Sequence, residues 1–154
     1  MITLSEVEKI QSKWGSGIVK IGSLKSERKA CEKATIEMLN ELYAYDLGDV
    51  LFKPTKAEKK QFRLEADGAK SYFIGGNPKF GEDKGFAIQP WQSVKFENAS
   101  VVLNKSHALA MGNYFFTDSS GTAVKVEYTF GYIRGNNGNL KINLHHSSLP
   151  YKND

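Results

Sequence analysis

The polar run from His145 to Ser148, with the sequence HHSS, carries the side chains best suited to chemistry in this chain. Imidazole and hydroxyl groups donate and accept hydrogen bonds, so they can hold a small polar ligand or a water molecule. The run closes a segment, Leu140 to Leu149, that begins as an alternating strand. Pro150 ends that strand because it has no N–H for a further ladder bond. We therefore predict that this strand end forms the floor of a ligand pocket.

Strand parity predicts which of these groups face the pocket. Successive side chains of a strand point to opposite faces. With Ile142 directed into the core, His146 and Ser148 lie on the inner face. Their neighbours His145 and Ser147 then point outward. A β-bulge just before the proline would reverse this assignment.

Zinc chemistry is disfavoured by the small number of histidines. A catalytic zinc site needs three protein ligands, and the chain has three histidines in all. His145 and His146 are strand neighbours that face opposite ways, and His107 is isolated among apolar residues. We predict no metal site. A Mn²⁺ or Mg²⁺ site built on oxygen ligands stays open as the alternative, although no tight Asp and Glu cluster suggests one.

Covalent and phosphate chemistry also lack a sequence signature. No Gly-rich loop stands between a strand and a helix, and no serine occupies a nucleophile-elbow motif. The spacing argues against Ser147 or Ser148 pairing with His146, because a nucleophile and its base must face each other and strand neighbours do not. The hydroxyls are therefore expected to orient a ligand by hydrogen bonds.

Composition argues for a soluble protein without nucleic-acid or membrane partners. The chain has 154 residues and a formal charge of +4, from 21 basic and 17 acidic residues that are spread along the sequence. Nucleic-acid modules concentrate their positive charge, and no apolar run approaches membrane-spanning length. A single cysteine, Cys31, excludes an internal disulfide and favours a reducing, cytoplasmic location.

One segment does concentrate positive charge. It forms either an ordinary solvated face or a basic rim that attracts a small anion. Its members are Lys53, Lys56, Lys59, Lys60 and Arg63.

Helical patterns occupy the first half of the chain. Thr3 and Glu6 form a capping box, and apolar residues recur at helical spacing as far as Trp14. Gly15 to Gly17 is predicted to end this helix. A second helix begins near Ser26, and a third lies between Glu65 and Phe73, ahead of two glycines.

Strand patterns occupy the second half. Four segments alternate apolar and polar residues and are joined by short polar loops, so neighbouring strands must be antiparallel. Helices followed by a strand meander predict an α+β fold, in which N-terminal helices pack on a strongly curved antiparallel sheet. Residues 1–154 are expected to form a single domain. The four predicted strands are Trp91 to Leu103, His107 to Thr117, Val124 to Arg134 and Leu140 to Leu149.

Several short motifs lie between Val50 and Tyr151. They are FKPT from Phe52, SYFIGG from Ser71, EDKGFAIQPW from Glu82, AMGNYFFTD from Ala110, and VEYTFGYIR from Val126 followed by LHHSSLPY from Leu144. Together these motifs resemble those of the iota-class carbonic anhydrases. This class is a branch related to the association domain of calcium/calmodulin-dependent protein kinase two and to the cone-shaped fold of nuclear transport factor two.

The resemblance implies reversible hydration of CO₂ to bicarbonate without a metal, although some members are said to prefer Mn²⁺. Threonine, tyrosine and serine hydroxyls of the family hold the substrate and the water. The threonine corresponds to Thr55 and the tyrosine to Tyr72, and the serine falls on the pair Ser147 and Ser148. Parity favours Ser148 as the catalytic serine. His146, Ser147 and Tyr128 are then expected to contact the substrate.

Two other functions stay open at this point. Aromatic residues along the predicted strand, Tyr128, Phe130 and Tyr132, are also compatible with a cyclase or isomerase acting on a larger hydrophobic ligand. A non-enzymatic oligomerisation module, like the kinase association domain, is the third possibility. The resemblance favours a homodimer that pairs through the outer face of the sheet, whereas the oligomerisation module predicts a large closed ring.

Overall fold

The computed structural model describes residues 1–154 as three α-helices packed on one five-stranded sheet. No helix combines the length and the apolar character that crossing a membrane requires. Single turns of 3₁₀ helix lie at Pro78–Phe80 and Phe86–Ile88. The main elements are α1 (Leu4–Ser23), α2 (Arg28–Leu42), β1 (Leu51–Lys53), α3 (Ala66–Ile74), β2 (Ser93–Leu103), β3 (His107–Thr117), β4 (Ala123–Arg134) and β5 (Leu140–Ser148).

Helix α1 begins where the sequence predicts and continues well beyond the predicted end. The capping box of Thr3 and Glu6 is present, with both side chains bonded to backbone N–H groups. The helix runs through Gly15–Gly17 because its buried stripe continues as far as Ile21. A Cβ atom on Gly15 would lie 3.3 Å from Val94 of β2. The predicted end was therefore wrong: glycine here permits close packing of the helix on the sheet.

The sheet has the strand order β1-β5-β4-β3-β2. Strands β2 to β5 form an antiparallel meander, which confirms the four predicted strands and the α+β class. Strand β1 was not predicted, and it runs parallel to β5. The sheet is therefore mixed rather than wholly antiparallel. Three residues are too few to show a periodicity in the sequence.

A β-bulge interrupts the pairing of β4 with β5. Gly131 pairs with Leu144 and Tyr132 pairs with Ile142, so Asn143 is an extra residue on β5. A bulge of this kind shifts the alternation of side chains by one position. Beyond Asn143, every side chain of β5 points to the face opposite the one that simple parity predicts.

Trp14 of α1 lies at the centre of the core, between the helices and the inner face of the sheet. It is buried, and its ring lies 5.4 Å from that of Tyr114, 5.9 Å from that of Phe96 and 6.2 Å from that of Phe130. Each aromatic pair of this kind adds about 0.5–1.5 kcal/mol beyond simple burial. The indole therefore ties α1 to three strands and holds the helix against the sheet.

Candidate active site

The bulge turns His145 and Ser147 into the core, where they are only 2% and 1% exposed. His146 is exposed and Ser148 is half-buried, and both lie on the outer face of the sheet. The Ser148 hydroxyl donates to a Glu127 carboxylate oxygen at 2.9 Å. The predicted inward orientation of His146 and Ser148 is therefore wrong. The bulge lies at the middle of β5 and not before the proline.

Three hydroxyl-bearing residues from separate segments meet at one small cavity. Thr55 follows β1, Tyr72 lies in α3, and Ser147 lies in β5. The Thr55 Oγ1 and Ser147 Oγ atoms are 2.7 Å apart, and the Tyr72 ring forms another part of the wall. The cavity measures about 10 Å³, roughly the space that a single water molecule needs. Its remaining walls are Trp14, Phe52, Pro54, Phe73, Phe86, Tyr114 and His145.

The parallel pairing of β1 with β5 delivers Thr55 to this cavity. Phe52 lies opposite His145, and their rings stack with centroids 4.7 Å apart. Pro54 then leads the chain out of the strand toward Ser147. The Lys53 ammonium group donates to the backbone carbonyl of Ser147 at 3.2 Å. Strand β1 is short, and its position decides whether the threonine reaches the serine.

A buried ion pair anchors the segments around Thr55 and Tyr72. Arg63 donates to the two carboxylate oxygens of Asp83 at 2.7 and 2.8 Å, and Ser71 donates to the same carboxylate at 2.6 Å. Both ionic side chains are at most 1% exposed. Removing one partner of such a pair typically costs about 3–5 kcal/mol. Arg63 therefore has a structural role, and its predicted place in the basic rim was wrong.

Behind Ser147, hydrogen bonds continue into the core. The Ser147 hydroxyl lies 2.5 Å from the Tyr114 hydroxyl, which lies 3.0 Å from His145 Nε2. The other ring nitrogen of His145 lies 2.8 Å from the Tyr43 hydroxyl. Burial lowers the pKa of His145 well below its usual value of 6.5, with the nearby His146 adding to the effect. The imidazole is therefore neutral at physiological pH.

Sequence reasoning missed His145, Tyr114 and Tyr43 as functional residues. His145 was assigned to the outer face, and neither tyrosine was singled out. A usable signal existed for Tyr114, which lies in the AMGNYFFTD segment that carries the family resemblance. A buried tyrosine must find a partner for its hydroxyl, and here that partner is the serine of the cavity.

Tyr72 presents a neutral phenol to the cavity. Its oxygen accepts a hydrogen bond from the backbone N–H of Lys56 at 3.2 Å. Burial raises the pKa of Tyr72 above its usual value of 10, and this effect outweighs that of its hydrogen bonds. The phenol proton is therefore retained at physiological pH and remains available for donation to a ligand.

Tyr128 does not reach the cavity. Its hydroxyl donates to Asn98 Oδ1 at 2.6 Å, and Asn98 is bonded in turn to Gln11 of α1. Tyr128 lies directly across the ladder from Ser147 and packs against Phe96. The geometry thus gives Tyr128 a place in the core and no contact with the space beside Thr55.

A wider cleft of about 520 Å³ meets the small cavity at Tyr72 and Phe86, which form part of both walls. The two rings stack with centroids 5.7 Å apart. Lysines 25, 56 and 84 line the cleft, and the Lys56 ammonium group lies 5.9 Å from the centre of the Phe86 ring. The carboxylates of Glu82 and Asp83 line the same cleft, so its lysines outnumber its carboxylates by three to two and the approach to the hydroxyl groups is weakly positive.

The residues at the cavity are poor ligands for a metal ion. No group of three or more His, Cys, Asp or Glu side chains in the structure could hold one. The imidazole of His145 is engaged through both nitrogens. Among the polar groups around the cavity, hydroxyls predominate, and these suit hydrogen bonding to a small polar ligand.

Comparison with known proteins assigns the family. A model of the family described as "Metal-independent carbonic anhydrase" matches residues 5–149. The chain belongs to the metal-independent carbonic anhydrase family. The resemblance to the iota class that the motifs predicted is thereby confirmed.

Relatives of this carbonic anhydrase family extend over nearly the whole chain. A "Metal-independent carbonic anhydrase" from Nostoc sp. (strain PCC 7120 / SAG 25.82 / UTEX 2576) is 41% identical over 154 residues, which cover 98% of this chain and 75% of the relative. A crystal structure of the iota-carbonic anhydrase from a cyanobacterium, complexed with bicarbonate, is 37% identical with a TM-score of 0.95. That match covers 99% of this chain and 94% of the other.

A more distant structure shares the fold alone. A Xanthomonas campestris structure assigned to the calcium/calmodulin dependent protein kinase II association domain has a TM-score of 0.61 at 22% identity. The match covers 99% of this chain and 91% of the other. The predicted relationship between the iota-class fold and the association domains is therefore visible in the architecture.

Proposed function

We propose that this chain catalyses the reversible hydration of CO₂ to bicarbonate without a metal ion, using the hydroxyl groups of Thr55, Tyr72 and Ser147. The observation that carries the proposal is the convergence of these three side chains on one cavity of molecular size. Family membership supplies the reaction class. The cyanobacterial relative complexed with bicarbonate supports a small planar anion as the ligand.

The reaction places negative charge on an oxygen of CO₂. A water oxygen attacks the carbon, one C=O electron pair moves to oxygen, and one water proton is released. The Thr55 and Tyr72 hydroxyls can donate hydrogen bonds to the oxygen that gains charge. In a site that excludes water, one such donor is worth about 10²–10³ in rate. Aromatic walls keep bulk water out and strengthen these bonds.

The water must be activated chiefly by position. Bulk water has a pKa of about 15.7, compared with about 7 for water bound to zinc in carbonic anhydrase. Around the cavity, burial keeps Tyr72 and Tyr114 protonated and His145 neutral. The released proton therefore passes to water or buffer in the adjoining cleft. Holding CO₂ and water in contact supplies the remaining advantage.

We propose Ser147 as the serine of the site in place of Ser148. Ser148 is bonded to a carboxylate on the opposite face of the sheet, and His146 is exposed there. Tyr128 is bonded to Asn98 and has no contact with the cavity. None of these three residues can touch a ligand held between Thr55 and Tyr72.

The direct test is stopped-flow CO₂ hydration with protein that has been treated exhaustively with a chelator. We expect a rate above the buffer background, which Thr55→Ala abolishes or reduces strongly. The alternative, a Mn²⁺ enzyme, predicts that chelation removes the rate and that added Mn²⁺ restores it. A chelated protein with no activity under any condition would overturn the proposed function.

A cyclase or isomerase acting on a larger hydrophobic ligand is disfavoured by the dimensions of the cavity. The cavity of about 10 Å³ has room for roughly one water molecule, which leaves no space in it for a substrate of many heavy atoms. Tyr128, Phe130 and Tyr132, which suggested such a pocket, are all packed in the core. CO₂, with three heavy atoms, is closer to this size, and it would extend toward the adjoining cleft at Tyr72 and Phe86.

We also propose the homodimer that the resemblance implies. The outer face of the sheet exposes Leu51, Val102, Leu109 and Met111, each at 41% or more. A second copy covering these side chains would remove apolar surface from water. Light scattering on the wild type and on Met111→Lys tests this pairing, with a monomeric wild type as the contrary result. A single domain over 1–154 and a reducing, cytoplasmic location stay predictions of the sequence.

A further inference from the structure

A line of buried hydrogen bonds runs from Trp14 to the cavity. The indole N–H of Trp14 at its start determines which group donates and which accepts in each bond. The Trp14 indole nitrogen lies 2.9 Å from the Tyr43 oxygen. Indole N–H is a donor only, so the Tyr43 oxygen accepts this bond. The remaining partner of the Tyr43 hydroxyl is His145 Nδ1 at 2.8 Å. Because Tyr43 is fully buried, its proton is placed most favourably on that bond.

The same reasoning determines the tautomer of His145. Its Nδ1 atom accepts from Tyr43, so the single proton of the neutral ring is on Nε2. Nε2–H then donates to the Tyr114 oxygen at 3.0 Å. The rings of Phe52 and Phe130 stack on the imidazole at 4.7 and 4.0 Å. The groups in hydrogen-bond contact with His145 are tyrosines, and no carboxylate is bonded to it that would favour a cation.

The same sequence of donors and acceptors continues from Tyr114 to the cavity. Having accepted from His145, the Tyr114 hydroxyl donates to Ser147 Oγ at 2.5 Å. Ser147 can then donate to Thr55 Oγ1 at 2.7 Å or to the Glu127 carbonyl at 3.3 Å, and the shorter contact has the better distance. Thr55 thereby accepts a hydrogen bond from Ser147, and its own O–H is left to donate on the cavity side, to Tyr72 or to a ligand.

The Tyr72 hydroxyl is also left as a donor, because of a different hydrogen bond. Its oxygen accepts from the backbone N–H of Lys56, which leaves its phenol O–H as a donor. The Thr55 and Tyr72 hydroxyls are neighbours on the cavity wall and can act as donors to one ligand together. Two converging donors are the arrangement that an oxyanion requires.

We propose that Trp14 and Tyr43 are positioning residues that hold His145 as its Nε2–H tautomer, so that Ser147 donates to Thr55 and the Thr55 hydroxyl is left as a hydrogen-bond donor toward the substrate. This inference rests on the proposed function and identifies what polarises its hydroxyl groups. Neither Trp14 Nε1 nor the Tyr43 hydroxyl contacts the ligand in this scheme. Both act entirely through the imidazole.

The direction of the hydrogen bonds also excludes His145 as the general base. Its unprotonated nitrogen faces Tyr43, on the side away from Ser147. The proton released when water adds to CO₂ therefore cannot be taken up by this ring through Tyr114, which already receives Nε2–H. His145 orients the hydroxyl groups, and it is not the general base.

Nuclear magnetic resonance of ¹⁵N-labelled histidine tests the tautomer without reference to activity. The exposed His107 and His146 are replaced in the double variant His107→Gln/His146→Gln, which leaves His145 as the only signal. We expect long-range proton–nitrogen correlations to show Nε2 protonated and Nδ1 bare at every pH from about 5 to 8. A ring protonated at Nδ1, or an imidazolium within that range, would overturn the inference. Either result leaves the proposed function standing.

The second experiment removes, one at a time, the Trp14 N–H and the Tyr43 hydroxyl, which set the direction of the hydrogen bonds. Trp14→Phe keeps an aromatic ring but has no N–H, and Tyr43→Phe removes the donor to Nδ1. We expect mixed tautomers in both variants and a fall of about tenfold in kcat for CO₂ hydration, with KM nearly unchanged. Tyr132→Phe is the matched control, because Tyr132 lies in the same core outside this line. It should keep the wild-type spectrum and rate.

The outcomes separate the two ideas. An Nε2–H tautomer and a normal rate in a folded Trp14→Phe protein would refute the positioning role while hydration activity remained. An inactive wild type with the expected tautomer would refute the proposed function alone. If Trp14→Phe does not fold, Tyr43→Phe and the histidine spectrum of the wild-type core still decide the inference.

Discussion

Thr55 Oγ1 and Ser147 Oγ are 2.7 Å apart although 92 positions separate the two residues in the chain. Strand β1 makes this contact possible, because its parallel pairing with β5 ends beside the serine. The contact defines one wall of the cavity in which we propose that CO₂ is hydrated. Most of the predictions below depend on this junction or on the segments that hold it.

The two adjacent serines should differ sharply in their contribution to activity. Ser147→Ala removes the hydroxyl that links Thr55 to Tyr114, and we expect kcat/KM for CO₂ hydration to fall by about 10²-fold. Ser148→Ala removes only a bond to Glu127 on the outer face and should leave the rate close to wild type. Stopped-flow measurements on both purified variants decide the matter. A larger loss in Ser148→Ala would contradict the assignment of faces.

Two tyrosines offer a similar contrast. Tyr72→Phe keeps the ring packing against Phe52 and Phe86 but removes one donor from the cavity. We expect about a 10²-fold loss of kcat/KM and weaker bicarbonate binding in dehydration kinetics. Tyr128→Phe removes a bond to Asn98 and should lower stability while sparing the rate. Thermal unfolding measured beside the kinetics separates these effects. Equal catalytic losses in the two variants would restore Tyr128 as a substrate contact.

Acid should loosen the segment that follows Thr55. The Glu82 carboxylate accepts backbone N–H bonds from Lys60, Glu58 and Lys59, which lower its pKa to about 2 from an ordinary 4.5. Because the folded-state pKa is the lower one, this contribution to stability is complete above pH 4.5. It is lost as the pH falls toward about 2.

Amide hydrogen exchange measures this loosening. After correction for intrinsic rates, the amides of residues 58–60 should stay protected above pH 4.5 and lose protection as the pH falls toward about 2. In Glu82→Gln the protection should already be weaker at neutral pH, because a neutral amide oxygen is a poorer acceptor than a carboxylate. Exchange that is identical in the variant and the wild type would exclude this role of Glu82.

Charge in the cleft should affect the capture of bicarbonate. Lys56→Glu reverses one charge on the cleft wall, and we expect kcat/KM for bicarbonate dehydration to fall several-fold at about 0.01 M salt. The difference should shrink at about 0.5 M salt, where exposed charges are screened. Lys59→Glu is the matched control, since the Lys59 side chain is exposed outside the cleft. A loss that does not depend on salt would point to packing against Phe86 instead.

Much of the fold follows from local patterns in the sequence. The capping box at Thr3, the glycines after α3 and the alternation in β2 to β5 each involve residues within a few positions of one another. Strand β1 was missed because it has three residues and is stabilised by its partner β5. The end of α1 was misplaced because Gly15 faces Val94, a contact that no local pattern contains.

The residues of the site likewise fall into those that local motifs predict and those that depend on tertiary contacts. Thr55 and Tyr72 were identified through family motifs, which are contiguous stretches of sequence. The choice of Ser147 over Ser148 depended on one extra residue, Asn143, in a ladder whose partner lies in another strand. Arg63 was counted as a surface charge because its partner Asp83 lies 20 positions away. Such pairings are set by tertiary packing.

The sequence by itself determined the order of the three helices and of the four long strands, the supply of hydroxyl groups and the family. These depend on residue types and on short spacings, which a linear chain already contains. Only the tertiary structure decided which face of β5 meets the core and which tyrosines stand behind Ser147. It did so because a bulge forms where two strands must fit the same curved sheet, and that constraint belongs to the pair of strands together.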